Sequence, residues 1–258
     1  MIAQSRFLGK WGGFLSLTPT LDVFGLWNVR WYKAIGGLEN MFILDESKFG
    51  DSDLTNAREF VEFWGKYYSY SVKIFRSEDS ISYINELNIG NDLSEQNVKR
   101  LLRWKDPRML TEEILSGPNK GKKNRRVKRV LDRLRSLNDF RNGRIDENAF
   151  LRVAANIFPN GLIWSVFLFH IARPYEFPMA DQNVFRGFSI QTNGRIPEDW
   201  GGYKEYKDFF FDIAKSAGII KRQPKGNESN ISEIVPALKK VDDALFTFGR
   251  FLKIYGDK

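Results

Sequence analysis

FPNGLIWSVFLFHIARPYEFPMADQNVFR, residues 158–186, decides how the chain reads. Pro159-Asn160-Gly161 falls between two helical patterns, residues 148–157 and 162–172, and Pro and Gly together favour a tight turn. The second pattern is apolar nearly all round, which predicts a centrally buried helix. Its first backbone N–H groups have no intrahelical acceptor, so its N-terminus can hold a phosphate oxygen without a charged side chain. Pro174 ends the helix and Pro178 stiffens the loop that follows. Asp181 then stands at the N-cap of a helix over 182–188, where the helix dipole favours an ionised carboxylate by roughly 0.3–1 kcal/mol. Two roles are open to it: a purely structural cap, or a carboxylate presented to a ligand.

Working outward, helical spacing continues in both directions. Phe60, Val61, Phe63 and Trp64 share one face. A Ser/Asp-rich break at 77–80 precedes a short helix through Leu87. The run 91–94 offers N-caps for a helix carrying Val98, Leu101, Leu102 and Trp104, which Lys105-Asp106-Pro107 ends. A further short helix is expected over 110–115. Downstream, an aromatic helix over 203–217 precedes a polar linker. A long C-terminal helix over 231–255 turns Val235, Leu238, Val241, Leu245, Phe248 and Phe251 inward. Residues 1–45 are rich in glycine and aromatics and read as short strands or irregular segments; their aromatics serve either as core or as a stacking platform for bases. The sum is a mostly α-helical, two-lobed chain. An N-terminal aromatic-rich lobe covers 1–95 and a helical domain covers 96–258, and the two are free to interleave.

Composition narrows the chemistry. Of 258 residues 42% are hydrophobic and 15% aromatic, a globular balance. No apolar run approaches the roughly 18 residues of a membrane span, and the N-terminus lacks the order of a signal peptide, so a cytoplasmic protein is expected. There is no cysteine, which excludes disulfides, a Cys-ligated metal or cluster, and a thiol nucleophile. The lone histidine, His170, argues against a His-rich metal site or a Ser-His-Asp triad and reads as a packed core residue.

The net charge of +8 is concentrated in one place. Lys120, Lys122, Lys123, Arg125, Arg126, Lys128, Arg129, Arg133 and Arg135 fall within 119–136, interleaved with Val127, Val130, Leu131 and Leu134 at helical spacing. A basic loop thus runs into an amphipathic helix whose outer face is either simply solvated or suited to phosphates.

The order hairpin, apolar helix, capping aspartate resembles the helix-hairpin-helix DNA glycosylase superfamily typified by endonuclease III and the adenine glycosylases. Phe158-Pro159-Asn160-Gly161-Leu162 stands where that family has L-P-G-V-G, and Ala180-Asp181-Gln182-Asn183-Val184-Phe185-Arg186 where it has V-D-T-H-x-x-R. Leu245 to Arg250, LFTFGR, resembles the H-G-R segment of the family's last helix. The resemblance covers roughly residues 95–258. It implies a catalytic role for Asp181, with Gln182 and Asn183 orienting it. It also implies DNA contacts at Asn160, Gly161, Leu162, Arg186 and the basic 120–129 region, and pocket or stacking roles for Trp164 and Phe185. The implied partner is double-stranded DNA, bound by a monomer, with no membrane. No cofactor is implied; a structural monovalent or divalent cation at the hairpin stays open.

Departures from the pattern sharpen the expectation. Where bifunctional members carry a Schiff-base lysine, this chain has Ile163 or Trp164, which implies base hydrolysis without strand cleavage. Gln182-Asn183 replaces Thr-His, and the second hairpin glycine is missing. Cleaving a base from deoxyribose develops positive charge at C1′, which a fixed carboxylate stabilises or supplies with activated water. Reaching C1′ in a duplex requires extrusion of the nucleotide, at a cost of a few kcal/mol. The expected activity is therefore monofunctional excision of a damaged or modified base. It would serve either repair or antiviral defence against modified cytosines, such as glucosylated ones, in phage DNA. The alternative is a non-catalytic DNA- or RNA-binding relative.

Overall fold

The structure, a computed structural model, describes residues 54–68, 83–106, 110–115, 117–192, 194–224 and 230–255. The chain divides into two units, residues 1–39 and 40–258, and every described residue belongs to the second. The strands and stacking aromatics expected near the N-terminus lie outside the described residues.

Ten helices make up most of the described chain: α1 Leu54–Gly65, α2 Tyr83–Glu86, α3 Glu95–Lys105, α4 Arg125–Leu131, α5 Leu134–Arg141, α6 Glu147–Ile157, α7 Leu162–Ala172, α8 Gln182–Gln191, α9 Trp200–Ser216 and α10 Ile231–Tyr255. Among the described residues no strand forms; one isolated antiparallel bridge pairs Glu113 with Lys123. None of these helices is long and apolar enough to cross a membrane.

The hairpin α6–turn–α7 sits where the Pro-Asn-Gly signal places it. Asp146 caps α6 by accepting the Ala149 amide at 2.7 Å. At the turn Asn160 takes φ +58, the left-handed region that asparagine tolerates better than most residues. Gly161 N–H closes the turn on Phe158 O at 3.0 Å. A Cβ at Gly161 would stand 3.2 Å from Phe158 Cβ and 3.3 Å from Phe158 O, so the glycine also relieves crowding. No side chain caps α7, which leaves its leading amides unclaimed by the N-cap residue. With no polar face, α7 is buried from Ser165 to Ala172, and its first turn is only half-buried.

Aromatic packing surrounds α7. Phe140 stacks on Phe150 at 4.4 Å, and Phe169 meets both edge-on before reaching Phe177 and Trp200. Arg173, just past the helix, lies 4.1 Å over the Phe140 ring and donates to Phe140 O through Nε at 2.9 Å.

The last helix, α10, packs on α1 and α8. Phe248 meets Phe60 and Trp64 of α1 at 5.4 and 5.2 Å. Against α8 the two backbones touch: a Cβ on Gly249 would fall 1.7 Å from Asn183 O, and one on Gly187 would fall 3.3 Å from Leu245 O. The glycine of the LFTFGR segment is therefore dictated by contact with the turn that starts at Asp181.

Two expectations are corrected. Residues 110–115 are not a helix: Ile114 N–H donates to Lys122 O and Asn124 N–H to Glu112 O, joining the segment to the chain beyond the 117–121 turn. Six residues are too few to sustain a helix against such pairing. Phe251 is 39% exposed rather than inward, although its ring still touches Trp64 at 5.2 Å.

Candidate active site

Residues 174–181 lie outside any helix, yet Pro174 and the run 177–180 are buried. Buried carbonyls need donors. His170 Nδ1 donates to Phe177 O at 2.7 Å, Tyr203 Oη to Pro178 O at 3.0 Å, Tyr206 Oη to Met179 O at 2.9 Å, and Lys105 Nζ to Ala180 O at 3.0 Å. Side chains from three helices (α3, α7 and α9) thus hold four consecutive carbonyls immediately before Asp181. The donors stay donors: burial pushes His170 down to about 4, keeping the ring neutral, and pushes both tyrosines well above their ordinary value. With Nδ1 protonated, His170 Nε2 accepts from Tyr83 Oη.

Asp181 is the N-cap of α8. Its Oδ1 accepts the amides of Asn183 at 2.7 Å and Val184 at 2.9 Å. Oδ2 accepts no hydrogen bond among the described residues. One oxygen sets the position and the other is uncommitted. Burial raises the Asp181 carboxyl above its ordinary value; the Lys105 ammonium and the two amides pull it back, and Asp242 pushes it up. Lys105 in turn is lowered by burial, partly offset by Asp181 and Asp242.

Tyr68, Trp104, Lys105, Met179, Asp181, Asp242 and Phe246 line one small cavity. Its volume of about 20 Å³ suits a water molecule and not a nucleobase, so a base enters only if the wall moves. Tyr68 packs edge-on against Phe246 at 5.6 Å. Behind this wall, Lys239 bonds Asp242 Oδ2 at 2.9 Å and Asp243 Oδ1, and sits 4.4 Å over the Tyr68 ring.

The residues anticipated from sequence fall in several places. Asn183 steadies Asp181 through its backbone amide, while its side-chain oxygen accepts Arg186 Nη1 at 3.3 Å. Gln182 is exposed. Trp164 does not line the cavity but stacks on Phe158 beside the hairpin at 5.9 Å. Phe185 is in the core, edge-on to Tyr206 at 5.4 Å. Lys120, Lys122, Lys123, Arg125, Arg126, Lys128 and Arg129 are all exposed, with Val127 and Val130 buried beneath them. Lys128 pairs with Asp132 at 2.7 Å. Asp242 and Asp243 both pair with Lys239.

Among the described residues no group of three or more His, Asp or Glu is placed to hold a metal ion. The hairpin turn has no acidic side chain, and the carbonyls of Phe158 and Gly161 already accept the amides of Gly161 and Ser165.

Sequence reading missed Lys105 and Asp242. Lys105 looked like an ordinary last-turn cation at a helix C-terminus. Asp242 left a clearer signal, a charge inside the inward stripe Leu238, Val241, Leu245, Phe248.

No protein-family model matches the chain, and neither does any curated protein or solved structure.

Proposed function

We propose that this chain is a monofunctional DNA glycosylase that extrudes a nucleotide and hydrolyses its N-glycosidic bond, leaving an abasic site. The observation that carries the reading is the placement of Asp181: four pinned carbonyls and a two-amide cap fix one carboxylate, whose second oxygen accepts no hydrogen bond among the described residues and which lines a cavity with a lysine and three aromatics. Such fixed charge is what a developing cation at C1′ requires. As the C1′–N bond breaks, its electron pair leaves with the base. Water adds to C1′, and its proton passes to Asp181 or to solvent. The α6–α7 turn, with its uncapped amides, and the exposed cations of 120–129 would hold phosphates.

The test is base release. Wild-type protein and Asp181→Asn are incubated with duplex DNA carrying normal, oxidised, alkylated and phage-type modified bases. Freed bases are identified by mass spectrometry, and abasic sites by alkaline cleavage. Release by wild-type protein and a loss of at least a hundredfold in Asp181→Asn is expected. Absence of release from every substrate defeats the proposal. One observation favours the second reading, a non-catalytic nucleic-acid-binding relative: the cavity beside Asp181 is too small for a base as it stands. That reading requires tight DNA binding, unchanged in Asp181→Asn, with no base released.

A further inference from the structure

Asp242 is 6% exposed and its two oxygens are treated differently. Oδ2 accepts Lys239 Nζ at 2.9 Å; Oδ1 is buried and has no hydrogen-bond partner among the described residues. A buried acceptor left without a donor is costly, so Oδ1 is available to a donor that enters the cavity, a water in the free protein or an N–H of a ligand that displaces it. Asp242 lines the same cavity as Asp181 and joins Tyr68, Trp104 and Phe246 there. Asp243, its neighbour on the Lys239 pair, does not line it.

We propose, resting on the glycosylase reading, that Asp242 reads the extruded base by accepting an N–H from its exocyclic amine, which restricts the site to amino-bearing bases of the cytosine or adenine type. The chemistry of the acceptor makes the selection. A single carboxylate oxygen takes one N–H, as acidic side chains do from the cytosine amine. At the same edge uracil, thymine and hypoxanthine present a carbonyl oxygen, which a carboxylate repels. Lys239 holds the other oxygen, so the carboxylate cannot rotate to offer a different face without breaking the pair. The three aromatic rings supply apolar surface against which the faces of a base can stack.

Binding to non-cleavable DNA separates this from catalysis. Full-length protein is titrated with duplexes carrying a single 2′-fluoroarabino nucleotide, in the pairs cytosine against uracil and adenine against hypoxanthine, each opposite an abasic analogue. Wild-type protein should bind the amino member of at least one pair about tenfold or more tightly. Asp242→Asn should lose or reverse that preference, since Lys239 can only donate and keeps the amide oxygen, leaving an NH2 donor toward the base. Asp243→Asn makes the same charge change outside the cavity and should keep the preference, provided thermal melting shows both variants folded. Equal binding of both members by wild-type protein overturns the proposal, even if base release depends on Asp181. Loss of the preference in both variants also overturns it, assigning the effect to the Lys239 pair. A preference that is present, with no base released from any DNA, leaves Asp242 as a base reader and removes the glycosylase reading instead.

Discussion

Lys105 and Asp181 each offset part of what burial does to the other. Desolvation pushes the carboxyl up and the ammonium down, and each one's field opposes the other's shift. Asp242 of α10 adds to the rise at Asp181. In the proposed mechanism Asp181 must be ionised, so activity is lost as pH falls through its pKa. Removing Lys105 takes away the main influence holding that pKa down. Lys105→Gln should therefore move the acid limb of the single-turnover pH–rate profile to higher pH, and Lys105→Arg should largely restore it. A uniform drop in rate with an unmoved limb would reduce Lys105 to a support for the Ala180 carbonyl. This pairing also marks the limit of what the residues announced. Asp181 was legible because a cap follows from local order: a proline-stiffened loop, then Asp before a helical run. Lys105 was not, because its partner lies in another element and a lysine at a helix end has an ordinary local explanation.

At the scale of elements, α8 and α10 meet backbone to backbone, and Gly249 is the point of closest approach. Gly249→Ala would drive a methyl to 1.7 Å from Asn183 O, a distance no rotamer adjustment can relieve, because both partners are main chain. The helices must separate, and the start of α8 carries Asp181 with it. A loss of about 3 kcal/mol or more is expected in urea unfolding, with loss of base release. Gly187→Ala, at 3.3 Å from Leu245 O, needs a shift of only tenths of an ångström and should cost less, about 1 kcal/mol. Equal effects at both positions would contradict this geometry. The helices themselves were readable where one rule dominated. α7 has no polar face and is buried; α3 starts at Ser94, whose hydroxyl accepts Asn97 N–H at 3.1 Å in a capping box. The segment 110–115 was misread because its apolar residues fit helical spacing, whereas pairing with 122–124 decided its backbone. That pairing is tertiary, and no local pattern encodes it.

Across the whole molecule the charge excess of +8 is not evenly spread, and the 120–129 region carries seven cations with exposed side chains. Among the described residues only Lys128 of these pairs with a carboxylate, Asp132. An exposed cationic run of this kind contributes little to folding, and neutralising it should change stability by no more than about 0.5 kcal/mol. Its consequence belongs to binding. Each phosphate contact releases condensed counterions, so the logarithm of the affinity for duplex DNA falls with the logarithm of salt concentration by about 0.9 per contact. Substituting Lys120, Lys122 and Lys123 together by glutamine should weaken binding uniformly across sequences and flatten that slope by up to about 3. Affinities measured by fluorescence anisotropy between low and physiological salt give both slopes. The preference for amino-bearing bases should be unchanged in this triple variant, because phosphate contacts position the protein and do not read bases. If instead the slope is unaltered, the 120–123 cations are a solvated face, and the phosphates are held elsewhere, by the α7 N-terminus and Arg186 or by residues outside the described part of the chain.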